Sequence, residues 1–154
     1  MDEQVLDTWR IHSRITLYVL DAISPEALGG VSASKGRTVG AQFAHMHNNR
    51  IAWLEAAAPD LIEGLAKIDK GNTGDKELLR QALEGSGSAI DALLGRGLEA
   101  GGKIKGFKPH AVAFMAYLIA HESYHQGEIG MILNQSGHAL DKKTAYGMWE
   151  WGVR

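Results

Sequence analysis

The stretch "AYLIAHESYHQGEIGMIL", residues 116 to 133, is apolar at helical spacing and carries the pentapeptide His121-Glu-Ser-Tyr-His125. It lies inside a longer helical run, predicted to start at Pro109 and to stop at Gly137. Each helical residue advances about 100°, so His121 and His125 stand about 40° apart, one turn above the other. Phe114, Leu118, His121, His125, Glu128 and Ile132 fall on one stripe, which predicts that both imidazoles point into the protein interior. A His pair at this spacing suits one metal ion, because both ring nitrogens can converge on one point. A lone His on such a stripe would be read as a hydrogen-bonded core residue. Two His and a Glu together would be costly to bury unless something pairs them.

Working outward, the rest of the chain also reads as helix. Residues 3 to 23 form an amphipathic helix broken at Ser24-Pro25. Thr38 is a candidate N-cap for a second helix that ends before Pro59, and "PDLIEGLAKI" suggests a short helix with Pro59 in its first turn. After the turn-rich "DKGNTGD", a third long helix contains Gly85, Gly87 and Gly95, each weakening it by roughly 1 kcal/mol against Ala. The tail "HALDKKTAYGMWEWGVR" is aromatic and is expected to pack on the helices. No period-2 strand and no internal repeat is visible, so the expected fold is all-α with four main helices in a single domain, residues 1–154.

Composition narrows the function. The 154 residues include 45% apolar and 22% charged residues, with a net charge of −2 and no cysteine. That balance gives no electrostatic footprint for nucleic acid or an anionic membrane. Disulfides and thiolate metal ligands are excluded, so a metal must sit on His, Asp or Glu. No segment approaches the roughly 20 apolar residues needed to span a bilayer, and the first twenty residues are too charged for a signal peptide. A cytoplasmic location is therefore expected.

H-E-x-x-H is also the zinc-peptidase signature. A peptidase would need a third ligand downstream, but "QGEIGMILNQ" lacks the H-x-x-G-x-x-H extension and Glu150 is the only late acid at a suitable distance. No edge strand is available for an extended substrate. The third ligand should instead come from the second helix, at "HMHNNR". His45 and His47 are about 200° apart, so only one can face the pair. Periodicity favours His47 slightly, and whichever is excluded becomes a boundary or surface residue.

"TVGAQFAHMHNNRIAWL" (residues 38 to 54) followed by "AYLIAHESYHQGEIGMIL" resembles the DinB-like superfamily of four-helix-bundle proteins, of the DinB/YfiT type. The resemblance runs from Thr38 to the tail. It implies a divalent metal, zinc or nickel, held by three His from helices two and four. The superfamily's first His lies six residues after a valine, which carries over to His45 from Val39, and the other two to His121 and His125. Glu122, about 80° from the middle of the His pair, is then an edge residue rather than a base. Gln126-Gly127-Glu128 replaces the superfamily's R-G-Q. Glu128 is expected as a carboxylate behind a ligand, with a fourth ligand or a cross-helix hydrogen bond as its alternatives. Gly127 and Gly130 are expected to allow close helix approach.

The resemblance further implies an enzyme-like site with an open coordination position. There a small molecule of the low-molecular-weight thiol class would be transferred to an electrophile. A metal-binding stress-response protein without catalysis is the competing class. It also suggests a homodimer, with Met148, Trp149 and Trp151 as candidate exposed apolar surface.

Overall fold

The computed structural model describes residues Met1–Arg154 and is all-helical, without strands. Four long helices dominate: α1 (Asp2–Asp21), α2 (Val39–Ala57), α3 (Lys76–Glu99) and α4 (Ala111–Gln135), followed by a short α5 (Lys142–Gly147). Local chemistry sets the boundaries. Thr38 caps α2 by accepting from the Ala41 amide, and Asp75 caps α3 by accepting from Leu78. At α4 the cap is the His110 ring, which accepts from the Ala113 amide, so Pro109 precedes the helix instead of opening it. The expected helix after Pro59 shrinks to one 3-10 turn, Pro59–Ile62.

The apolar core falls into two clusters. One joins the C-terminal half of α1, the N-terminal halves of α2 and α3, and the C-terminal half of α4, around Leu20, Phe43, Leu83 and Ile129. The other joins the opposite halves, around Trp9, Leu54, Ile90 and Phe114. Helices α1 and α4 therefore run one way and α2 and α3 the other. The parallel pair α2 and α3 needs a connection that travels back along the molecule, and residues 58–75 supply it. His47 Nε2 donates to the Ala66 carbonyl, and the Asn48 side chain bonds both the amide and the carbonyl of Ile68. Gly40 holds the far end, because any side chain there would run into the Thr73 carbonyl.

Between the clusters lies a polar layer with a contribution from every long helix. Arg50 and Glu122 are fully buried and bonded to each other, Nε to Oε1 at 2.8 Å. Arg50 Nη1 also donates to the Leu83 carbonyl and to Ser86 Oγ, and its guanidinium lies 5.1 Å from the Trp9 ring centroid. His12 Nε2 approaches Glu122 Oε2 at 3.4 Å. Burial alone would raise the Glu122 carboxyl, but Arg50 and His12 outweigh it and hold the group down at about 2.

Several expectations are corrected here. Glu122 is not an edge residue: it sits on the innermost seam of α4, which runs through Ala111, Met115, Leu118, Glu122, His125, Ile129 and Ile132. His47 is neither boundary nor surface but fully buried, bonded to the connection it holds. Gly127 and Gly130 face open space, whereas the close approach occurs at Gly87 of α3, against Ser13 of α1. In the tail, Met148 packs on the first cluster while Trp149 remains 73% exposed.

Glu122→Gln keeps the shape of the side chain but leaves Arg50 buried without its counter-charge. The expected loss is about 3–5 kcal/mol in urea unfolding, most of it regained in the apolar double variant Arg50→Met/Glu122→Leu. A loss below about 1 kcal/mol, the range of exposed pairs, would show that the pair does not organise the core.

Candidate metal centre

Glu122 and His125 share the inner seam of α4, so His121 lies on the flank that faces α2. On α2, Arg50 and His47 take the inner face, which leaves His45 on the flank that faces α4. The three imidazoles meet there. His45 Nε2 lies 3.3 Å and His125 Nε2 lies 3.2 Å from His121 Nε2, and all three donor atoms fall within 4.8 Å of one another. Around a tetrahedral ion with metal–nitrogen bonds of roughly 2.0–2.1 Å, neighbouring nitrogens are about 3.3–3.4 Å apart. The donor set can therefore hold a metal ion with little movement. His125 is buried, as the stripe predicted, but His121 is half-exposed like His45, so the cluster opens on one side.

The hydrogen bonds behind the cluster fix the tautomer of His125. Glu128 is a carboxylate and can only accept, so Gln42 donates Nε2–H to it at 2.9 Å. The Gln42 oxygen then faces His125, whose Nδ1–H donates to it at 2.6 Å. That tautomer leaves the Nε2 lone pair of His125 free for a metal. The Asn49 Nδ2–H points at His121 Nδ1 from 3.4 Å, so the His121 proton is carried on Nε2 and would have to leave for that nitrogen to bind a metal. Glu128 itself is 3.9 Å from His125 Nδ1 and is not one of the converging donors.

Electrostatics favour the neutral form of His45 and His125. Burial, then the charges of Arg37 and the two neighbouring imidazoles, push His45 down from 6.5 to about 4. Burial and His121 lower His125 as well, against the pull of Glu128. Neutral imidazole is the form that binds metal. Tyr117 stacks beside His121 with planes 18° apart, and Tyr124 packs edge-on against His125.

Other residues lie elsewhere. His47 points away, toward the 58–75 connection. Gln126, where the superfamily has Arg, donates to Thr16 of α1 and does not touch the cluster. Glu122 is held by Arg50, so the Glu of H-E-x-x-H is committed to the core. Gln42, which bridges Glu128 and His125, is a contact of the cluster that the motifs do not single out. Its position one turn before His45, on the same flank, was the available signal.

The fold and the site together define a helical protein with a three-histidine cluster able to hold a metal ion between two helices. The DinB family model matches residues 1–150, and the chain belongs to the DinB family. No curated protein and no solved structure matched the chain significantly.

With His45 lowered to about 4, its neutral form is favoured by folding, and that contribution is present above pH 6.5 and lost as pH falls toward 4. In metal-free protein, the His45 ring resonances are expected to stay constant from pH 8 to pH 5.5 in NMR titration. A midpoint near 6.5 would contradict the crowded, desolvated arrangement.

Proposed function

We propose that the chain is a metal-dependent enzyme of the DinB-like four-helix-bundle type, a single cytoplasmic domain in which His45, His121 and His125 hold one zinc or nickel ion. The observation that carries this reading is the convergence of three imidazole Nε2 atoms on a half-exposed face, with Gln42 and Glu128 engaged behind it. A divalent ion on three neutral imidazoles would keep its charge and favour an anionic fourth partner, enough to deprotonate a thiol of pKa about 8.5 at neutral pH. Having no cysteine, the chain supplies no thiol of its own, so the thiol would be a small diffusible molecule that is transferred to an electrophile.

The residues around the cluster have matching roles in this reading. Gln42 fixes the His125 tautomer, and Glu128 orients Gln42. The peptidase alternative lacks its base, because Glu122 belongs to Arg50. A non-catalytic stress-response role would call for a closed donor set, and the engagement of Glu128 with Gln42 argues against a fourth protein ligand.

Protein purified without a His-tag and offered zinc or nickel should bind one ion per chain by elemental analysis. His45→Ala and His125→Ala should lose it, His47→Ala should retain it, and Gln42→Leu should weaken it about 10–100-fold. If His47→Ala loses the ion and His45→Ala keeps it, the ligand assignment is wrong. With cobalt in the site, a small thiol at millimolar concentration should change the visible spectrum. No change would leave the thiol reading without support.

We also propose a homodimer that buries the exposed Trp149 together with Trp151, which is 38% exposed. Light scattering should give twice the chain mass at concentrations on the order of tens of micromolar, the working range of a tight dimer, and a monomer with Trp149→Ala/Trp151→Ala. A wild-type monomer would remove the idea.

A further inference from the structure

Beside the cluster, on the His45 side, a trough of about 450 Å³ runs from the start of α2 to the 58–75 connection. Its floor includes Ala41 and Ala44, His45 lies along it, and Arg37 and Lys70 are the charged residues in its lining. No carboxylate lines it. Neither cation takes part in an ion pair, although most other arginines of the chain do. The Arg37 charge is near enough to act on both His45 and His125. The nearest acid of the site, Glu128, is tied to Gln42.

A metal ion on three neutral imidazoles would add two further positive charges at one end of this trough. Placing two unpaired cations beside it is repulsive unless an anion lies between them. The volume suits a small-molecule arm. We propose that the ligand of the metal site carries, besides its metal-binding atom, a carboxylate or phosphate that seats in the trough between Arg37 and Lys70. The proposal rests on the metal reading of the histidine cluster and narrows its substrate class to anionic small molecules, excluding neutral and cationic thiols as good ligands. Arg37 would bind the anion through its planar fork and Lys70 as a point charge.

Cobalt-loaded protein titrated with thiol probes, read by the visible spectrum, tests this. Mercaptosuccinate, a mercaptoalkyl phosphate, neutral 2-mercaptoethanol and cationic cysteamine form the series. At low ionic strength, at least one of the two anionic probes should bind ten-fold or more tighter than 2-mercaptoethanol, and whichever binds tighter identifies carboxylate or phosphate as the natural group. The preference should shrink as salt rises. Arg37→Gln/Lys70→Gln changes exposed side chains only, and should bring both anionic probes within about two-fold of 2-mercaptoethanol. Equal affinities in the wild-type protein, or a preference that survives the double variant, would overturn the proposal. If cobalt does not bind at all, the metal reading falls first. The trough is then tested in metal-free protein, where succinate or inorganic phosphate should move the backbone amide resonances of Ala41 and Lys70. Unmoved resonances would overturn the anion site on its own.

Discussion

Arg50 and Glu122, one on α2 and one on α4, meet in the middle of the protein with both side chains out of reach of water. Taking two charges into the interior is unfavourable unless their remaining hydrogen-bonding capacity is met. Here Leu83, Ser86, Trp9 and His12 supply the surroundings, so α1 and α3 are drawn into the same contact. An apolar core tolerates rotation and sliding of its helices far better than this arrangement does. The pair fixes which face of α2 and which face of α4 look inward, and the histidine cluster is a consequence. With Glu122 on the seam, its predecessor His121 must lie on the flank. With Arg50 inward, His47 follows it one turn earlier and His45 turns out toward α4.

The helices themselves were legible because their signals are local. Thr38 and Asp75 cap helices that begin one residue later, and Pro59 closes α2 where a proline should. The paired motifs also brought His45, His121 and His125 under consideration, and the structure gathers those three side chains. The rotation of α4 was not legible. Counting apolar neighbours put His121 and Glu128 on the inner stripe and Glu122 at its edge, because a carboxylate scores as polar until its partner is known. That partner is 72 residues away in sequence. His47 misled for the same reason: its hydrogen bond goes to a connecting segment without periodicity. Gly127 and Gly130 show the converse, since a glycine in a helix signals close approach only if a neighbour is there.

The site is asymmetric by construction. Its back is a chain of three fixed hydrogen-bonding groups, His125, Gln42 and Glu128, in which each orientation dictates the next. Its front is open, flanked by Tyr117 and Tyr124 on one side and by the cationic trough on the other. The geometry of the converging nitrogens is thus held from inside the fold, while their open side faces solvent. Chemistry at such a face can vary with the loop residues without disturbing the cluster.

The polar layer also divides the molecule for its motions. Two apolar cores of similar size lie on either side of it, so the ends of the helices can open separately. Fraying that begins at the Phe114 end loses apolar contacts step by step until it reaches Arg50 and Glu122, where further opening would separate the charges in a half-wet interior. The same barrier meets fraying from the Phe43 end. Native-state fluctuations are therefore expected to divide into two subglobal units that share one boundary, with the slowest hydrogen exchange at that boundary, beside the histidine cluster.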